Sequence, residues 1–207
     1  MHIKATSSLL DISVWIHPAA PVMMAISATA TVIALFCCFA STIGQVDQTI
    51  IPETSGEAVV EAVIARIQRA AIFSDDRTLL RRIAYVESRD GTDQQTYRTG
   101  YNGGIWQVDE DRLQATRSVP ELENARQEIL FSFDIVWSTV TWADLRRPLY
   151  SGLAARLLLA NVQQEIPFAS EIAQQANYWK QYYNQNGTVQ QFIDDVTALG
   201  TGNFSNN

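Results

Sequence analysis

Glu87 closes the segment Leu79-Leu80-Arg81-Arg82-Ile83-Ala84-Tyr85-Val86-Glu87-Ser88, and a polar turn leads on to Gly103-Gly104-Ile105-Trp106-Gln107-Val108-Asp109. Leu80, Ile83, Ala84 and Glu87 share one helical face by their i, i+3, i+4, i+7 spacing. A carboxylate on an otherwise apolar face carries a heavy desolvation penalty unless it is paired or protonated. Gly91 suits the position just past a helix C-terminus, which places Glu87 in the last turn, at the negative end of the helix dipole. Burial and dipole both favour the neutral acid. A carboxylic acid that stays protonated near neutral pH is what general-acid cleavage of a glycosidic bond requires. The competing reading is structural: a glutamate that caps the helix or pairs with Arg81 or Arg82.

The elements that would position this group read mainly as helices. Residues 45–56, with Pro52 and Gly56, form an extended lead-in. Glu57–Phe73 carries a helical stripe of Val60, Val63, Ile64, Ile67 and Ala71. Ser74-Asp75-Asp76 supplies a cap for the Glu87 helix. Residues 89–111 are polar and glycine-rich and suit a small loop or hairpin lobe. Pro120 stands at the first position of a helix running to about Trp137. Further helices are predicted over about Pro148 to Val162, Ser170–Tyr183 and Thr188–Leu199, with Pro167 and Gly187 between them. The tail from 201 to 207 is polar and is predicted to be disordered. The fold class expected is mainly α, one helical domain over 57–200 with a small β or loop insertion.

Composition narrows the chemistry. Both cysteines (Cys37, Cys38) and both histidines (His2, His17) lie in the first 38 residues. The same region holds an uncharged apolar stretch from Val22 to Ile43, with Thr42 and Gly44 before the polar Gln45. Residues 1–44 therefore read as a signal peptide cleaved after Gly44, with secretion of the rest, or alternatively as a membrane anchor with the domain outside. Without residues 1–44 the chain has no cysteine and no histidine, which excludes Ser-His-Asp and Cys-His catalysis, structural zinc and disulfides. Neither metal nor cofactor is expected, and carboxylates, hydroxyls, lysine and tyrosine remain for chemistry. The net charge of −7 argues against nucleic acid and against anionic membrane surfaces as partners. A membrane enters only through an uncleaved N-terminal segment, and the domain is expected to be a monomer.

Ala84-Tyr85-Val86-Glu87-Ser88 resembles the helix end that carries the catalytic glutamate of the goose-type lysozyme and soluble lytic transglycosylase superfamily. Gly104-Ile105-Trp106-Gln107-Val108-Asp109 is similar to that family's Gly-Leu-Met-Gln-Val-Asp segment, and Tyr182-Tyr183-Asn184 with Gly187 resembles its Ala-Tyr-Asn-x-Gly motif. The order along the chain agrees. The resemblance implies a lysozyme-like fold, with Glu87 as general acid and Asp109 or Asp93 as a second, water-activating carboxylate. It places Gln107, Trp106, Gly104, Tyr101 and Tyr183 as substrate-binding residues. Each has a bland counterpart: Asp109 as the cap of the segment 110–114, Asp93 as a solvated loop acid, Gln107 as a loop-ordering amide, Trp106 as a core plug. For Tyr183 the counterpart is helix packing, and for Gly104 it is backbone geometry. Goose-type lysozymes carry an acidic residue shortly before the aspartate of this segment, where Arg98 stands here.

Two functions follow as expectations. One is a glycan-cleaving enzyme, a peptidoglycan muramidase or lytic transglycosylase with chitin as a further substrate. The other is a non-catalytic extracellular protein that binds a glycan or another partner on the same scaffold, and a membrane-tethered structural domain is a third. Asn186-Gly187-Thr188 and Asn203-Phe204-Ser205 are glycosylation sequons.

Overall fold

The computed structural model describes residues 46–202. The expected leader or anchor, both cysteines, both histidines and the second sequon lie outside the described residues. The described chain is mainly helical, with no strand among the described residues. Seven α-helices follow in order: α1 Glu57–Ala70, α2 Leu79–Ser88, α3 Glu110–Ser118, α4 Glu123–Phe133, α5 Pro148–Ala160, α6 Ile172–Tyr182 and α7 Val189–Gly202. None of them is long and apolar enough to cross a membrane.

Helix α5 is the centre of the core. Leu149, Leu153, Ala154, Ala155, Leu157 and Leu159 are all buried, so the helix is apolar nearly all round, as a helix surrounded by others must be. Helix α1 lays Val60, Val63, Ile64 and Ile67 of its predicted stripe against it, but it ends at Ala70, short of the expected Phe73, so Ala71 stands exposed as the left-handed C-cap (φ 53°). The approach is close at Gly152, where a Cβ would stand 2.7 Å from Val63 Cγ1. Helix α2 sinks Leu79, Leu80, Ile83 and Ala84 into the same core and packs against α7, which in turn packs against α6. The site elements therefore rest on one continuous apolar cluster.

Local signals explain where the helices start and stop. The N-cap of α2 is Thr78 (φ 67°), not a residue of the expected Ser74-Asp75-Asp76 cap, yet the Asp76 carboxylate accepts from the backbone N–H of Leu80 at 3.1 Å and of Thr78 at 3.2 Å and so satisfies a first-turn donor. The helix ends one residue past Glu87. Arg89, not Gly91, takes the left-handed position (φ 52°), and Asp90 and Gly91 continue with positive φ. Ser88 Oγ fastens this turn by donating to the Ile105 carbonyl at 2.6 Å and accepting from Gly91 N–H at 2.8 Å.

Several boundaries differ from the sequence expectation. Residues 89–109 are successive turns rather than a hairpin, because their donors close on nearby acceptors instead of a partner strand. The lead-in is not simply extended. Asp47 caps a 3₁₀ turn at Gln48–Ile50, and Glu53 is held by its N–H on the Arg146 carbonyl at 2.7 Å. The long helix expected from Pro120 to Trp137 is broken: Pro120 starts a 3₁₀ turn, α4 follows, and Asp134 stops it with φ 56°. The polar α3 replaces the short capped segment expected at 110–114. It is pinned through Thr116, whose hydroxyl accepts from the Trp137 indole at 2.9 Å. Helix α7 reaches Gly202, past the expected end at Leu199 and into the segment expected to be a disordered tail.

Candidate active site

Glu87 lies in the last turn of α2, half-buried at a cleft of about 620 Å³. The cleft is built by three pieces of chain that meet at this residue. The 98–109 loop contributes Arg98, Tyr101, Gln107 and Asp109, the first turn of α3 contributes Arg112, and the end of α6 with its following turn contributes Tyr182 to Asn186.

Two donors from distant sequence hold the carboxyl group. The Trp179 indole N–H donates to Glu87 Oε1 at 2.8 Å, and Asn184 Nδ2 reaches Oε1 at 3.1 Å and Oε2 at 3.2 Å. The Asn184 amide is itself oriented, since its Oδ1 accepts the backbone N–H groups of Asn186 and Gly187 at 3.1 Å each. With Oδ1 occupied, Nδ2 is the atom turned to Glu87. Gly187 is needed there for space: a Cβ would stand 2.0 Å from the edge of the Trp179 ring. Arg81 and Arg82 do not pair with Glu87. Arg81 bonds Asp90 and Glu61, and Arg82 bonds Gln175.

Burial raises the Glu87 pKa from 4.5 to about 7, against the opposing pull of Trp179, Asn184 and the Arg112 charge, while the Asp109 charge adds to the rise. The hydrogen bonds orient the group and desolvation decides its protonation. Oε1 accepts from both donors and Oε2 only from Asn184, so Oε2 is the oxygen with more room to carry a proton.

Asp109 is the second carboxylate at the cleft. It stands at the N-terminus of α3 but makes no side-chain cap, and Oδ1 instead accepts from the Tyr101 hydroxyl at 3.1 Å. Desolvation, with the nearby Asp109 charge, holds the Tyr101 phenol well above its ordinary range, so it remains a donor. Asp93 is not in the cleft. It is exposed and its carboxylate folds back on the Gln95 N–H at 2.7 Å, the solvated loop acid of the bland reading.

The binding candidates divide in the same way. Trp106 is 0 % exposed, with its indole N–H on the Leu80 carbonyl at 2.9 Å, so it is a core plug and offers no face to a sugar. Gly104 (φ 65°) serves packing: a Cβ there would lie 2.0 Å from the Leu145 carbonyl oxygen. Gln107 lines the cleft, yet its Nε2 is spent on the Gly104 carbonyl at 2.6 Å, which orders the loop. Tyr101 lines the cleft with its hydroxyl shared between Asp109 and the Gln107 carbonyl. Tyr183 borders the cleft but is buried, and its hydroxyl donates to the Trp106 carbonyl at 2.6 Å rather than to Glu87.

Three important residues had no role assigned from sequence. Trp179 and Asn184 were readable only as a packing aromatic and a motif position. Arg112 lay inside the short segment expected at 110–114, where nothing in the spacing pointed it to the cleft. Arg112 Nη1 donates to the Tyr183 carbonyl at 2.6 Å and its guanidinium lies 4.5 Å from the Tyr183 ring centre, which locks the end of α6 onto α3. Among the described residues no group of three or more His, Cys, Asp or Glu side chains is placed to hold a metal ion. No protein-family model, curated protein or solved structure matches this chain.

Proposed function

We propose that this protein cleaves β-1,4-linked glycans, with peptidoglycan as the first candidate and chitin as the second, and that Glu87 is the general acid. The observation that carries the reading is the Glu87 carboxyl itself: oriented by two donors, raised to about 7 by burial, and open to a cleft of about 620 Å³. Near neutrality such a group is poised both to give a proton and to take one back. The lysozyme-like scaffold is part of the same proposal, supported by the helical fold and by the chain order of the three motifs.

In this reading Glu87 protonates the glycosidic oxygen while the C1–O bond breaks and an oxocarbenium-like transition state develops. The nucleophile follows from which groups stand free at the cleft. Asp93 stands away from the cleft and Asp109 is engaged by Tyr101. The sugar's own hydroxyl therefore closes on C1, its proton passing to the Glu87 carboxylate, which gives an anhydro product and restores the acid. If Asp109 instead activates water, the product is hydrated with inverted configuration. The protein acts outside the cell in this proposal, on an extracellular polysaccharide.

A second reading, glycan binding without cleavage, is favoured by the bond from the Tyr101 hydroxyl to Asp109, which draws the second carboxylate of the cleft away from activating water. Incubation with peptidoglycan and with chitin oligomers, followed by mass analysis, separates the cases. Anhydro or hydrated fragments that disappear in Glu87→Gln, with the circular dichroism of the variant unchanged, support cleavage. Retention of the oligomers without any fragment supports binding alone, and unaltered turnover by Glu87→Gln overturns the assignment of the acid.

A further inference from the structure

We propose that Arg98 reads a carboxylate on the glycan, which makes the cleft selective for an acidic saccharide unit over a neutral one. The inference rests on the glycan reading of the cleft and goes beyond it by naming the group recognised and the residue that recognises it.

Arg98 is an exposed cation at the cleft that is held in place without being neutralised. Its guanidinium lies 3.6 Å from the centre of the Tyr101 ring, close enough for cation–π attraction. Nη1 alone makes the fixing bonds, to the Gln95 carbonyl at 2.9 Å and to Gln107 Oε1 at 3.2 Å. Among the described residues no carboxylate forms an ion pair with Arg98, and Nε and Nη2 have no acceptor. That leaves one planar edge with two parallel N–H directions, the geometry that binds a carboxylate in two-point fashion. Pre-fixing the plane reduces the ordering entropy that a flexible cation would lose on binding.

The charges around it point the same way. With Glu87 protonated, the cleft carries Arg98 and Arg112 against Asp109. Arg112 is turned inward to the Tyr183 carbonyl, which leaves Arg98 as the cation with an open edge. A locally basic cleft on a chain of net charge −7 is a contrast that a neutral polymer would not use. The carboxylate is borne either by a substituent of the sugar ring or by a peptide attached to it.

The test measures binding with the Glu87→Gln protein, so that cleavage does not intervene. Calorimetric titration compares four soluble oligomers: peptide-free peptidoglycan with its ring-borne carboxylates, the same oligomer with those groups amidated, a peptide-bearing oligomer, and chitin. The expected result is about tenfold tighter binding of a carboxylate-bearing oligomer than of the amidated or chitin oligomer. Arg98→Gln should bring that ratio to about one, while Arg98→Lys keeps part of it because the charge stays but the fork is lost. A preference seen with the peptide-bearing oligomer alone also supports Arg98 and places the carboxylate on the peptide. Equal affinities for all four oligomers, or a preference that survives Arg98→Gln, overturn the inference. Absence of binding overturns it too. Fragments released by the unsubstituted protein would then show that the glycan reading stands without it.

Discussion

The indole N–H of Trp179 donates to Glu87 Oε1 at 2.8 Å, joining the end of α2 to the last turn of α6 across 92 residues of chain. The bond favours the ionised carboxylate, yet the group sits at about 7 because desolvation outweighs it. A site with this balance responds to pH and to small changes in its donors, and both responses are measurable.

Stability should carry the mark of Glu87. Its folded pKa lies above the unfolded value of 4.5, so the native state binds the proton more tightly. The contribution is fully present below about 4.5 and is lost as pH rises through about 7. At most it amounts to about 3 kcal/mol. Urea unfolding from pH 4 to pH 8 should show the unsubstituted protein losing stability relative to Glu87→Gln over that window. Parallel curves for the two proteins would place the carboxyl in an ordinary, water-like setting.

Removing the indole donor should move the pH profile. In Trp179→Phe the carboxylate loses its shortest hydrogen bond while burial remains, so the Glu87 pKa rises further. The alkaline limb of the activity profile should shift upward, accompanied by a packing loss of roughly 1–3 kcal/mol, since Trp179 is fully buried against Phe192. A profile that falls in amplitude without shifting would mean the indole merely packs.

Gly187 should be intolerant of a methyl group. A Cβ there lies 2.0 Å from Trp179 Cη2 and 2.8 Å from Cζ3, and the ring is buried and rigid. Gly187→Ala should destabilise by roughly 1–3 kcal/mol and reduce turnover beyond what the stability loss explains, because the displaced indole is the donor to Glu87. Gly200→Ala is the control: open space surrounds that position, and alanine is the better helix former. Thermal melts and turnover on the same preparations decide it.

Much of the scaffold was legible in the chain. Within the expected stripe, Val60, Val63, Ile64 and Ile67 are buried as their spacing required, while Ala71 lies exposed just past the helix end. Leu80, Ile83 and Ala84 are buried on the face that ends in Glu87, so the apolar surroundings that raise its pKa were readable from spacing alone. Spacing does not say which way a loop turns. Trp106 and Gln107 are neighbours in sequence, yet the first points into the core and the second borders the cleft, because Gln107 takes φ 50°. Asp93 was plausible by proximity and fails by direction, since its carboxylate turns back on its own loop. Trp179 and Asn184 reach Glu87 only after α2 and α6 both pack against α7, a long-range relation with no local signature. The extent of helix α3 was obscured by its polar composition, and the place of Arg112 at the cleft with it.

The central claim concerns one proton, and it can be observed directly. Protein labelled with ¹³C at the glutamate side-chain carboxyl, assigned by comparison with Glu87→Gln, should give a Glu87 resonance that titrates with a midpoint of about 7. A midpoint near 4.5, the ordinary glutamate value, would contradict the account, for Glu87 would then be ionised at neutral pH and have no proton to give.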